Sequence, residues 1–163
     1  MINNKIYLYL DDVRTPLDPS WQVVRNYDEF VSHIRMWGLE NYAVISLDHD
    51  LGEEAMVEYY RNVKRNNKLD YTNIQEKTGL DCAKFLVDES FRTGINLPVI
   101  YVHSANPVGS ENIMNIINSY LKSKELTEKC VRVKVEHTYM DSLSEEDKNR
   151  RLEIMKNFNY ENE

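Results

Sequence analysis

Three apolar runs in this chain end on polar, mostly ionisable residues. KIYLYL (5–10) runs into Asp11-Asp12, AVISL (43–47) runs into Asp48-His49-Asp50, and LPVIYVHS (97–104) closes on His103-Ser104. An ionised carboxylate beside an apolar strand is costly unless something pairs with it. Such strands must end at an edge where the charges can meet water, one another or a ligand. This feature constrains the fold more than any other.

The segments between the runs have the other period. Phe30, Ile34 and Trp37 fall at helical spacing in 27–38, and Gly38 is a stop. Residues 55–68 suggest a helix, and 69–77 read as a loop. Thr78 can cap a helix through 80–93 that ends at Gly94, with Asp81 placed for a capping box. A further helix spans 110–123 with Ser110 as its expected cap, and Ser144 with Asp147 opens a last polar helix, 145–158. WQVVRN (21–26) and CVRVKVEH (130–137) read as the second and fifth strands. The first strand is expected to be buried on both faces. DDVRTPLDPS (11–20) carries Pro16 and Pro19 and cannot make a good helix.

Strands alternating with helices predict a parallel sheet with helices on both faces. Ligands of such sheets bind beyond the carboxyl ends of the strands, at the switch point. For strand order 2-1-3-4-5 that point lies between the first and third strands, which end on Asp11-Asp12 and Asp48-His49-Asp50. His103-Ser104 is next door.

Composition narrows the function. The 163 residues suffice for one domain with a proper core. A net charge of −7 disfavours extended, sequence-blind nucleic-acid binding. No apolar run approaches the roughly 20 residues of a membrane helix, the N-terminus lacks signal-peptide character, and Cys82 and Cys130 are isolated. The expectation is a cytoplasmic protein with reduced thiols and no membrane partner.

Carboxylates from Asp11, Asp12, Asp48 and Asp50 that converged would repel unless they shared a proton or a cation. A hard divalent ion with oxygen ligands, Mg²⁺ or Mn²⁺, is the natural solution. Asp50 is as readily a helix cap. His49 and His103 are suited to acid–base work near neutral pH, or are packed residues bonded to a backbone carbonyl. His33 reads as structural, and His137 sits at a strand end. Arg14 is placed for a phosphate or for a carboxylate partner. Ser104 and Asn106 can hold phosphate oxygens, or Asn106-Pro107 simply turns the chain. Tyr59, Tyr60, Arg61, Lys64 and Arg65 either stack a base or form a solvated helix with core tyrosines.

The pattern resembles the receiver domain of bacterial response regulators, with Asp11 and Asp12 as its acidic pair, Asp48 as its phosphoacceptor, Ser104-Ala105 after the fourth strand and Gly79 before a helix. It is closer still to the cyclic-phosphate-processing receiver-like branch, through LDDVRTP (10–16), SLDHDLG (46–52), TGLD (78–81) and HSANPVG (103–109). The resemblance covers about 5–135. It implies a three-layer α/β/α, flavodoxin-like fold with a five-stranded parallel sheet of order 2-1-3-4-5. A loop replaces the first helix, and an extra helix follows at the C-terminus. The domain is expected over 1–140 with an insertion at about 53–77, followed by a helix and tail at 141–163. Receivers also carry a Lys-Pro pair after the fifth strand, whereas this strand holds Lys134 inside VRVKVEH and ends on Glu136-His137.

The resemblance implies a metal-dependent phosphoesterase acting on a cyclic phosphate, either an RNA 2′,3′-cyclic end in end processing or repair or a small cyclic nucleotide. Asp48, His103 and His49 would be catalytic. Arg14, Ser104 and Asn106 would hold phosphate, and Asp11, Asp12, Asp48 and Asp50 the metal. The alternative is a phosphoacceptor or phosphate-binding module without turnover.

Overall fold

The computed structural model describes residues 4–139 and 142–160. In chain order the elements are β1 Ile6–Leu10, β2 Thr15–Pro16, β3 Trp21–Val24, α1 Tyr27–Trp37, β4 Tyr42–Leu47, α2 Glu53–Glu58 and α3 Lys64–Asn66. Then come α4 Gly79–Thr93, β5 Val99–Val102, α5 Pro107–Ser123, β6 Val131–Arg132, β7 His137–Thr138 and α6 Glu145–Tyr160. Five strands pair in parallel in the order β3-β1-β4-β5-β6. Counting only these strands, the order is 2-1-3-4-5, the flavodoxin-like arrangement. No helix separates β1 from β3. The loop that replaces it is pinned by Arg25, whose guanidinium donates to the Arg14 carbonyl at 2.8 Å and to Thr15 Oγ1 at 2.7 Å.

The two faces of the sheet differ. Register places Leu8, Ile45 and Ile100 side by side, and likewise Leu10, Leu47 and Val102. These residues form one core with Phe30 and Ile34 of α1, Leu80, Ala83 and Leu86 of α4, and Ile113, Ile117 and Leu121 of α5. Each large side chain fully buried there contributes about 1.5–3 kcal/mol. Helix α1 begins where Asn26 accepts the Glu29 amide and ends at Gly38, whose φ of 81° suits glycine. The opposite face carries Tyr7, Val44 and Val99, then Tyr9, Ser46 and Tyr101. Tyr7 is 42% exposed, so β1 is not buried on both faces as its apolar run suggests. With no helix after β1, that end of the strand is left open.

Three other local expectations are corrected. The fifth strand stays in the sheet only at Val131–Arg132, because β5 ends at Val102 and offers no carbonyl beyond the one that accepts Val133 N–H. The chain then crosses, and His137–Thr138 pairs antiparallel with Thr15–Pro16. Residues 55–68 are not one regular helix. A π turn at Tyr59–Val63 separates α2 from α3, and Asn67 stops the run with a φ of 55°. The cap of α5 is Asn106 rather than Ser110: Asn106 Oδ1 accepts Gly109 N–H, and Pro107 stands in the first turn, where a missing N–H costs nothing. The capping box of Thr78 and Asp81 forms as expected. The expected boundary at 140–141 and the end of the tail, 161–163, lie outside the described residues. Among those described, no helix is long and apolar enough to cross a membrane.

Candidate functional site

The carboxyl ends of β1 and β4 bring Asp11, Asp12 and Asp48 together. One carboxylate oxygen from each lies within 4.8 Å of the others. Asp11 is fully buried and accepts at both oxygens. Oδ1 takes the Val13 and Arg14 amides at 3.0 and 2.8 Å, and Oδ2 takes Arg14 Nε at 2.7 Å. His103 Nε2 is 3.1 Å from the same Oδ2, and Ser46 Oγ is 2.7 Å from His103 Nδ1. Since the Asp11 carboxylate can only accept, the imidazole carries its proton on Nε2 and takes the Ser46 hydroxyl hydrogen on Nδ1. The His103 ring also stacks on Tyr9, with centroids 4.1 Å apart.

Asp48 accepts the His49 amide at 2.8 Å, and its Oδ1 lies 3.2 Å from Arg14 Nη2. Arg14 therefore spans Asp11 and Asp48. Asp12 meets Arg151 of α6 in an ion pair, with Nη1 2.8 Å from Asp12 Oδ2. Asp12 Oδ2 and Arg151 Nε are both buried without hydrogen-bond partners.

The charges are unevenly settled. Burial raises the Asp11 pKa, but hydrogen bonding to His103 and the charge of Arg14 outweigh it, and the carboxyl titrates below its usual range. Asp48 is pushed well up, first by burial and then by repulsion from Asp11. Asp12 is pushed up to about 6 by burial, against the opposing pull of Arg151. Burial lowers His103, so the ring is neutral at pH 7. Acids whose ionised form is this costly are ready to accept a cation.

Not every expected residue joins the cluster. Asp50 stands outside it: Oδ1 accepts His49 Nδ1 at 2.6 Å and Asn106 Nδ2 at 3.1 Å. His49 is fully buried, and its other ring nitrogen bonds Tyr71 Oη at 2.9 Å. Asn106 is fully buried, with its amide spent on Asp50 and its carbonyl on the helix cap. His49 and Asn106 hold the loops in place, while Asp50, bonded to both, also lines the cavity that Asp12 and Asp48 share. The glycines of the motifs serve the same seam. A Cβ on Gly79 would lie 1.8 Å from the Asp48 carbonyl oxygen, and one on Gly109 would lie 2.3 Å from the His49 ring. His33, by contrast, bonds Tyr42 and Gln22 far from the site, as a structural histidine would.

Two cavities meet at Arg14, Ser104 and Ala105. The smaller, about 130 Å³, is lined by Asp12, Asp48, Tyr59, Tyr60 and Arg151 as well. The larger, about 1090 Å³, opens over Tyr9 and His103 toward Arg132–His137. Asp12 and Asp48 of the cluster line the smaller one. Ser104 Oγ accepts the Asn106 amide, which leaves its hydroxyl hydrogen free to donate. Tyr60 lines the site with its ring stacked on Phe158 of α6, so Tyr59 and Tyr60 are half-buried wall of the cavity rather than core. Arg151, Tyr9 and Tyr139 of the two walls carry no motif. Only the register of distant elements brings them here.

An acid cluster at the switch point of a 2-1-3-4-5 sheet, with Asp48 at the end of the third strand, defines a receiver-like domain. The family model of the cyclic-phosphate processing receiver domain matches residues 6–119, well over half of the chain, and the protein belongs to that family. Comparison with curated proteins and with solved structures gave no significant match. Helix α6, which supplies Arg151, lies beyond the matched region.

Proposed function

We propose that the protein is a metal-dependent phosphoesterase that opens a cyclic phosphate, either the 2′,3′-cyclic end of RNA or a small cyclic nucleotide. One observation carries this reading: hard oxygen donors and phosphate-binding groups share one small cavity. Asp12 and Asp48 line it beside Arg14, Arg151 and the Ser104 hydroxyl, with Asp11 of the same cluster buried behind them. The donors suit Mg²⁺ or Mn²⁺, since they are all carboxylate oxygens and Asp12 Oδ2 is buried without a hydrogen bond. When bound, such an ion polarises phosphoryl oxygens and makes a water more acidic.

The chain's own groups do the rest. Arg14 and Arg151 compensate charge on the non-bridging phosphate oxygens, and Ser104 donates to one of them. Water adds to phosphorus as Asp48 takes its proton, and the bond to one sugar oxygen breaks. Asp48 gives the proton it has taken to that oxygen, and His103, whose neutral ring donates to Asp11, holds that carboxylate in place. The product is a phosphomonoester. His49 orders the loop through Asp50 and Tyr71. Asp48→Asn should reduce turnover to background while leaving the fold intact by circular dichroism. Full activity of that variant in the presence of chelator would sink the scheme.

A second reading rests on the matched position of Asp48, whose two described bonds both fall on Oδ1. There Oδ2 accepts a phosphoryl group and the protein signals without turnover. A stable mass increase of one phosphoryl group after treatment with acetyl phosphate and Mg²⁺ would favour it. The cation against Asp48 is Arg14, not a lysine from the fifth strand.

A further inference from the structure

The larger cavity lies where this fold departs from a fully covered sheet. Its floor is the second sheet face at Tyr9 and His103. Its walls are loop 11–20, which replaces a helix, and the extended stretch after β6. The groups lining it are not those of a packed core. Tyr9 is fully buried, and its hydroxyl has no hydrogen-bond partner. Arg132 is braced by Nε and Nη2 on the Ser104 carbonyl at 3.2 and 2.9 Å, so it is held beside the phosphate-binding serine with Nη1 left over. Lys134 has no partner among the described residues, and Glu136 is the only acid on the lining. In a chain of net charge −7, this is a local cationic wall.

The cavity also joins the acid pocket through Arg14, Ser104 and Ala105. A cyclic mononucleotide has one phosphate, which the proposed reaction places at the small cavity. Arg132 and Lys134 would then face no anion. A substrate with a second phosphate, one nucleoside away, satisfies both clusters.

We propose that the larger cavity is a subsite for the penultimate nucleotide of an RNA 3′ end, with Arg132 and Lys134 on the internucleotide phosphate and the Tyr9 hydroxyl on the terminal nucleoside. This rests on the proposed reaction for the location of the cyclic phosphate. It narrows the substrate to an oligonucleotide end rather than a free cyclic nucleotide.

Two arms test it. The first measures kcat/KM for 2′,3′-cyclic AMP and for a dinucleotide ending in a 2′,3′-cyclic phosphate, using wild type, Lys134→Glu and Lys122→Glu. Lys122→Glu makes the same charge change on an exposed part of α5. The dinucleotide preference of wild type should fall about tenfold or more in Lys134→Glu, the scale of one charge-assisted hydrogen bond, and not in Lys122→Glu. The second arm measures binding of a dinucleotide 3′-phosphate by calorimetry, which needs no turnover. Its affinity should fall in Lys134→Glu and depend more steeply on salt than that of the mononucleotide.

Equal preference for the two substrates in wild type, or equal losses in the two lysine variants, overturns the subsite whatever the activity. Lys134-dependent binding of the dinucleotide with no turnover of either substrate leaves the subsite standing and overturns the reaction.

Discussion

Replacing Asp12 by asparagine should stabilise the metal-free protein at neutral pH. The Asp12 pKa is raised from 3.8 to about 6, mainly by burial. A folded-state pKa above the unfolded one gives stability that is fully present below the unfolded value and lost as pH rises through the folded one. The wild type should therefore lose stability between about pH 4 and pH 7 on account of this group. A shift of roughly 2 units at about 1.4 kcal/mol each amounts to about 3 kcal/mol. Asparagine does not titrate, so the variant escapes the loss. The opposing trends of His103 and Asp11 are common to both proteins and cancel in the difference. Urea denaturation at pH 4 and pH 8 with chelator present measures it. Stability of the variant minus wild type should rise by up to about 3 kcal/mol, or roughly 6–12 °C in Tm for a chain this size. Added Mn²⁺ should then stabilise the wild type, by an amount that grows with concentration over Kd, and the variant far less. A difference that is flat with pH, or falls, refutes the strained carboxylate cluster.

Other outcomes follow from single contacts. Gly79→Ala places a Cβ 1.8 Å from the Asp48 carbonyl oxygen, backbone against backbone, and should cost about 3 kcal/mol or more in chemical denaturation; near-wild-type stability would mean the α4 seam is looser than described. Arg151→Ala removes a guanidinium from the small cavity and should cut kcat/KM on the cyclic phosphate about tenfold or more, with lysine restoring part of it; an unchanged kcat/KM would remove α6 from the site. The thiols should be inert in the folded protein, because burial raises Cys82 and pushes Cys130 up to about 12. Alkylation at pH 8 before denaturant is added would contradict that burial.

Much of this architecture is legible in the sequence because each strand carries its own end signal. Asp11-Asp12, Asp48 and Ser104 mark the carboxyl edge, and Gly38, Thr78 and Gly94 mark helix ends. Legibility fails where the deciding partner is remote. Ser110 has the chemistry of a cap, yet Asn106 wins because Pro107 fits the first turn behind it. VRVKVEH alternates like a strand, but an edge strand lasts only as long as its neighbour, and β5 ends at Val102. KIYLYL reads as doubly buried because tyrosine counts as apolar, while the helix that would cover Tyr7 is absent. His49 and Asp50 bear the right chemistry beside Asp48, but the chain turns there and commits them to Tyr71 and Asn106. Arg151 lies in a polar helix with no pattern that points to Asp12.

The central claim is that the Asp11–Asp12–Asp48 cluster opens a cyclic phosphate with a divalent ion. It is tested most directly by ³¹P NMR of the protein with 2′,3′-cyclic AMP in Mn²⁺, in Mg²⁺ and in chelator, read beside a dinucleotide with the same cyclic end. The account predicts that the cyclic resonance converts to one monophosphate isomer only where a metal is present. A cyclic signal that persists unchanged for both substrates in all three conditions would contradict it.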